Sequence, residues 1–541
     1  GGVCIIMNGH RVATNGDIRL EATPGQWQPV PKQLDRKLGD NSITATLCYP
    51  DSSRHLTGFN PMIYPDLHLI YTVNVESKGK NIEVTVDLDR PIPQEFIGKV
   101  GFNLEFFPGS LFGKPWIMDG QSGIFPQQPN SPLMTTQPNY LHTGNYHDGK
   151  KSLADMDKLI GKGYSPIVAD DIISEPYAKG TKFTSRPDDP YNKVSIESLS
   201  GDLQLFDGRM NHNNGWFVLR SNIKPGVTKG AVKWIITPNV VADWMYQPVI
   251  QTSQIGYHPT QDKEAVIEMD IRDNRKETAQ IIRIDADGEK VVKNVTPANW
   301  GKFLRYNYLK VNFTDVKEPG LYKIKYNTSV SPIFRIDNDV YARGVWQPVL
   351  EYFLPVQMCH MRVNEKYRVW HDCCHMDDAQ MAPAHNHIDG YDQKEGLSKF
   401  KPGEVVPGVN IGGWHDAGDF DLRIESQAGE SYILALAYEA FHPNLDVTSI
   451  DQINRVTEIH QPDGKNDLLQ QVENGALTVV NGYLALGRLY RGIICNDLRQ
   501  YVLLGDAAAM TDGKIGNEDD RWIFTEDNPG RELSTAAQLA A

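Results

Sequence analysis

The chain carries no excess of positive charge: 54 Lys and Arg stand against 68 Asp and Glu, a formal net charge of −14. A polyanionic partner such as nucleic acid needs basic patches that displace counterions, so this balance argues against one and suits a neutral ligand. Long apolar runs are missing too, none approaching the ~20 residues that cross a bilayer as a helix. The opening residues, GGVCIIMNGH, have neither the basic start nor the long apolar stretch of a secretory leader. Either export is not used or a leader has been removed. Cysteine is scarce, with six residues at positions 4, 48, 359, 373, 374 and 495. They are too few and too scattered to be the framework of a small disulfide scaffold, although three of them cluster between 359 and 374.

What is present is an ordinary globular composition, 40% hydrophobic and 23% charged, with 46 Gly and 33 Pro supplying turns. At 541 residues the chain is too long for one core, and three units are expected. Residues 1–245 read as β. The segment NIEVTVDL (Asn81–Leu88) alternates apolar and polar with period two, as a half-buried strand should. Segments such as KVGFNLEFF, GWFVLRS and AVKWIITP repeat the pattern between Gly, Pro, Asn and Asp, which predicts a sandwich of unknown role. From Pro108 to about Pro190 the rhythm weakens into what reads as long loops. Trp116, Trp216 and Trp234 read as sandwich core, with a sugar-stacking platform as the alternative.

Residues 246–338 hold about seven short strand patterns, the size and spacing of an immunoglobulin-like sandwich, with an Asp-Gly hairpin signal at Asp287-Gly288. After Val340 the period changes. YARGVWQPVLEYFLPVQM, ESQAGESYILALAYEAF and NDLLQQVENGALTVVNGYLALGRLYRGII have helical spacing with no strand pattern between them, so residues 339–541 are predicted all-α. The last segment, GRELSTAAQLAA, opens a helix at Ser534 or Thr535 and stops without a C-cap, which reads as an incomplete unit.

Within that third unit, GGWHDAGDFD (Gly412–Asp421) places Asp416 and Asp419 three residues apart in a glycine-bracketed loop. Close carboxylates repel unless something uses them. A solvated turn is the bland alternative. Asp377-Asp378 read as a helix cap or loop acceptors, and Asp519-Asp520 as a polar turn.

Taken together, a β-sandwich opening with SQIGYHP and closing with FRIDNDVY, followed by QMCHMRV, WHDCCHMDDA and GGWHDAGDFD, resembles glycoside hydrolase family 9. The likeness covers roughly residues 247–541, and DAGD at 416–419 is its most specific element. It implies an immunoglobulin-like module followed by the first part of a barrel of six helical hairpins; with the N-terminal sandwich read from alternation, which resembles no family, this makes a multidomain β and α chain. It implies an inverting hydrolase of β-1,4-glucosidic bonds in cellulose or related β-glucans (xyloglucan, mixed-linkage glucan), endo-acting, with Asp419 the base and Asp416 helping to hold the same water. An exo-acting oligosaccharidase of the family and a non-catalytic glycan-binding protein are the alternatives. The family's general-acid Glu and its His/Arg substrate-binding segment find no match here, so the remainder of the barrel is expected from further residues or another chain. No cofactor is implied for catalysis. Cys359, Cys374 and His375 match positions at which some members bind structural zinc, and calcium is left open. The family's other histidine ligand follows DAGD, where Phe420, Asp421 and Leu422 offer none; His371, His360 or Asp421 could substitute, and the competing readings are plain buried thiols or a disulfide from Cys359 to Cys373 or Cys374. The resemblance places the protein outside the cell, in the periplasm or at the cell surface.

Overall fold

Alternating side chains carry the first half of the chain into sheets. The computed structural model describes residues 2–21, 31–51, 67–129, 133–134, 173–210, 215–383, 385–386, 392–393, 396–416, 420–494, 513–516 and 520–541. Strand Asn81–Leu88 buries Val84, Val86 and Leu88 and turns its polar partners outward. It pairs antiparallel with Leu69–Lys78, in register from Tyr71 opposite Leu88 to Lys78 opposite Asn81. The tight turn between them places Gly79 at φ 65, which glycine adopts without a Cβ penalty.

These strands belong to a nine-stranded sheet running from Lys32–Leu38 to Gln121–Ile124. A six-stranded sheet, from Val3–Met7 to Ala178–Gly180, shares its core. Phe102 of the smaller sheet meets Trp234 of the larger edge-on, with centroids 5.1 Å apart. Trp116 and Trp234 are buried core residues, and half-buried Trp216 stands edge-on to Phe107; none of the three forms an open platform. About half of the weak-rhythm region 108–190 lies outside the described residues, and the rest corrects the expectation of long loops: Pro115–Met118, Gln121–Ile124, Ala178–Gly180 and Lys182–Ser185 are strands of the two sheets.

Two further sheets follow. Val249–Gln251, Glu264–Asp270, Tyr306–Asn312 and Ala298–Phe303 form one. Gly288–Val295, Ala279–Asp285 and Gly320–Tyr326, with two short strands, form the other. Ile267, Leu309, Ile281 and Ile324 meet in one core between them. The predicted Asp-Gly turn joins Asp285 to Gly288 in the ladder. Tyr246 bridges toward the first sandwich, its ring 6.1 Å from His10 and 5.1 Å from Tyr306.

The last part is helical in its longest elements but not throughout. Helices Ile424–Phe441 and Asp467–Leu486 pack together, and Pro529–Ala540 packs against the first. Asn466 caps the second, its side chain accepting from Leu468 N, and Gly487 ends it at φ 76. The expectation of an all-α unit is corrected. Between the two long helices lies a hairpin, Thr448–Asp451 with Val456–Ile459. Its second strand runs parallel to Arg362–Glu365. Buried Thr448, Ile450, Thr457 and Ile459 supply the period-two pattern, and Arg455 takes φ 57 in the turn. A second small sheet joins Gln380–Met381, Trp522–Phe524, Gly492–Ile494 and Leu422–Arg423. Among the described residues the helices do not make up six hairpins. The final helix starts at Pro529 rather than at Ser534 or Thr535, because Asn528 caps it and Pro529 suits its first turn.

Candidate metal centre and catalytic loop

The segment Gly412–Asp416 is fastened from several sides. Gly412 and Gly413 take φ 67 and 85, and a Cβ on Gly412 would meet the Asn474 carbonyl of the neighbouring helix. Gly413 N donates to Asn474 O at 2.9 Å, and Asn474 Nδ2 returns a bond to Gly413 O at 3.1 Å. Trp414 is buried, its Nε1 donating to Gln471 Oε1 at 2.8 Å and its main chain exchanging bonds with the Gln427 amide. Each of these polar groups is satisfied, as burial requires.

The next two residues part company. His415 is buried and Asp416 keeps its side chain 41% exposed. Asp416 lies 3.6 Å from Arg423 Nε, and the same guanidinium pairs with buried Asp421 at 3.2 Å. Asp419 lies outside the described residues, as do Cys495 and Asp519.

His415 points into a cluster with Cys359, Cys374 and His375, all four fully or nearly buried. Cys359 Sγ is 3.8 Å from Cys374 Sγ and 3.7 Å from His375 Nδ1; Cys374 Sγ is 3.4 Å from His415 Nε2. One donor atom from each lies within 4.8 Å of the others. Both cysteines are free, so the competing disulfide is not formed. Zinc–sulfur bonds of about 2.3 Å in a tetrahedron put two sulfurs about 3.8 Å apart, and sulfur and nitrogen slightly closer. The residues fit a closed zinc site.

Electrostatics agree with that donor chemistry. Burial pushes His375 down to about 3, with the Arg521 charge adding to it, so its ring is neutral, the form that ligates a metal. His415 is lowered too, chiefly by burial. Burial would raise both thiols; at Cys359 the hydrogen bond with Cys374 and nearby positive charge, Arg521 included, overcome it and hold the thiol well below its ordinary value. Cys374 is pushed well above, by burial and by the same bond. A metal binds thiols as thiolates and would displace their protons.

The three substitutes proposed from sequence serve elsewhere. His360 Nδ1 faces Gly412 O at 3.0 Å, His371 uses both ring nitrogens on the carbonyls of Asp372 and Val356, and Asp421 pairs with Arg423. The fourth side chain of the cluster is His415, which stands before the DAGD tetrapeptide instead of after it. Sequence reading also missed Arg521. Its fully buried guanidinium bonds Asp378 and the carbonyl of Phe420, and its NH2 lies 3.4 Å from Cys359 Sγ. Nothing local marks it, since Asp378 is 143 residues earlier in the chain.

Residues 245–331 match the family model described as the cellulase N-terminal ig-like domain. No curated protein matches the chain. Among solved structures, a metagenome-derived glycoside hydrolase family 9 endoglucanase is 21% identical over 51% of this chain and 46% of its own, with a TM-score of 0.35. A zinc-binding triple mutant of the family 9 endoglucanase J30 is 20% identical over 49% and 44%, TM-score 0.35. A Bacteroides ovatus family 9 protein is 18% identical over 54% and 47%, TM-score 0.36. The chain spans less than half the length of each of these three.

Proposed function

From the cellulase N-terminal Ig-like domain that this chain carries at residues 245–331, we propose that the protein is an inverting, endo-acting hydrolase of β-1,4-glucosidic bonds in cellulose or a related β-glucan. On this reading residues 1–245 form an N-terminal sandwich, 246–338 the immunoglobulin-like module and 339–541 the first part of an α/α barrel, and the protein acts outside the cell. Asp419 is the base, taking a proton from water as it attacks the anomeric carbon. Asp416 holds the second hydrogen of that water, leaving a lone pair toward the sugar. The general acid stands across the scissile bond, ~6.5–9.5 Å from the base, on the remainder of the barrel. Exposed apolar side chains on the described helices, Ile433, Phe441 and Leu484 among them, support further helices packing there.

The observation that carries the reading is the split at residues 415–416. A loop whose Trp414 and His415 are locked into the interior presents the Asp416 carboxylate at 41% exposure, rigid at its root and open to a polymer. Cys359, Cys374, His375 and His415 would hold zinc, which in such a closed site supplies structure rather than chemistry. Arg521, bonded to Phe420 O directly after the DAGD segment and beside Cys359, positions the far side of the loop.

The reading is tested in the full-length protein by Asp419→Asn. The amide keeps the shape but cannot take the proton, so kcat on soluble β-glucan should fall by ~10³ while KM changes little. Near-normal kcat would place the base elsewhere and return the loop to an ordinary turn.

A further inference from the structure

Three aspartates from two acidic pairs that read as unremarkable in sequence come together in space. Asp377, Asp378 and Asp520 are 5%, 2% and 3% exposed, and one carboxylate oxygen from each lies within 4.8 Å of the others. Arg521 is bonded to one of the three, Asp378, through its backbone N at 3.0 Å and its Nε. Asp520 Oδ2 accepts from Gly516 N at 2.6 Å. Asp377 Oδ2 is buried and accepts no hydrogen bond among the described residues. A buried carboxylate oxygen with no donor is costly, and a concentration of buried negative charge more so, unless a cation meets it.

A second observation points to the same place. A cavity of about 460 Å³ reaches Asp378, lined also by Met376, Val406, Asn410, Arg455 and Ile515. Asn410 Nδ2 donates to Met376 O at 2.8 Å, while its carbonyl oxygen is buried and accepts no bond among the described residues. The cavity supplies a route in and room for bound water.

We propose that Asp377, Asp378 and Asp520 form a second metal site, for a hard divalent cation of the calcium class. All three donors are carboxylate oxygens. Calcium accepts an irregular set of 6–8 oxygens, completed by water, whereas magnesium demands a near-ideal octahedron and zinc favours the thiols and imidazoles of the neighbouring cluster. The two sites therefore sort metals by hardness a few residues apart along one loop. Bound calcium would tie the segment after Cys374-His375 to the strand Trp522–Phe524, which Asp520 and Arg521 precede. This proposal does not depend on the glycosidase reading.

The test is calcium titration of the full-length protein after passage over a chelating resin, followed by calorimetry and by thermal melting, with zinc content measured alongside. The expected result is a calcium-binding event that raises the melting midpoint and is weakened at least tenfold in Asp377→Asn, with zinc content unchanged. If Asp377→Asn fails to fold, Asp520→Asn is read the same way, and the wild-type titration stands by itself. No heat and no midpoint shift up to about 10 mM calcium, beyond the weakest range of protein calcium sites, would overturn the proposal. Equal calcium affinity in wild type and Asp377→Asn would overturn it too.

Discussion

His415 Nε2 lies 3.4 Å from Cys374 Sγ, 41 residues earlier in the chain, and the peptide bond after His415 leads straight to Asp416. The candidate metal centre and the candidate catalytic loop are thus one covalent step apart. Replacing His415 with Ala should weaken zinc binding by more than the ~10–100-fold that loss of an outer-shell partner costs. His371→Ala should leave zinc content unchanged, because both its ring nitrogens face backbone carbonyls. Elemental analysis of the two variants separates them; equal zinc in all three proteins would remove His415 from the site.

Arg521 is buried with Asp378 as its charge partner. Arg521→Met leaves that carboxylate without its guanidinium, which should destabilise the protein by ~3–5 kcal/mol in denaturant unfolding. Asp378 is already raised to about 7, because burial outweighs Arg521, so part of the loss is met by protonation. Removing both partners in Arg521→Met/Asp378→Asn should recover some stability. A double variant no better than the single would show that Arg521 acts mainly through Phe420 O and Cys359.

Gly475 lets helix Asp467–Leu486 approach closely, since a Cβ there would strike Ser431 Oγ and the Trp414 ring. Gly475→Ala should cost ~1–3 kcal/mol by overpacking. Gly429, in the facing helix, has only Gln538 Nε2 at 3.6 Å in that direction. Gly429→Ala should be neutral or stabilising by up to ~1 kcal/mol. Similar melting shifts for both would contradict the packing described.

Much of this architecture was legible where local pattern and burial coincide. Asn81–Leu88 is a strand over the residues its alternation marked, and Asp287-Gly288 turned the chain where the dipeptide said it would. The hairpin 448–459 escaped because its strands are four residues each, too short to stand out between helices of 18 and 20 residues. The cysteine cluster at 359–374 was visible as such, and the resemblance singled out Cys359, Cys374 and His375 within it. His415 was not, because its neighbour Trp414 and the aspartates drew the chemistry to themselves. Arg521 and the gathering of Asp377, Asp378 and Asp520 depend on contacts across more than 140 residues, which no local pattern carries.

Asp467 gives a pH signature. Its side chain is buried beside Val447 N at 3.0 Å and Thr448 N at 3.4 Å, and burial raises it to about 6 despite those donors. In the unfolded chain it titrates near 3.8. The folded state therefore holds the extra proton between these values, so the associated stability is full below about pH 4 and lost as pH rises through about 6. Asp467→Asn lacks this component. The wild-type urea midpoint should fall relative to the variant's across that window; parallel profiles would place the carboxyl in ordinary water.

The central claim, that Asp419 activates water in an inverting glycoside hydrolysis, is tested most directly by azide rescue. In Asp419→Gly of the full-length protein, azide needs no base to attack the anomeric carbon. It should restore turnover of a β-glucan substrate bearing a good leaving group and yield the inverted α-glycosyl azide by NMR. Rescue absent in Asp419→Gly, or a product of retained configuration, would contradict the account.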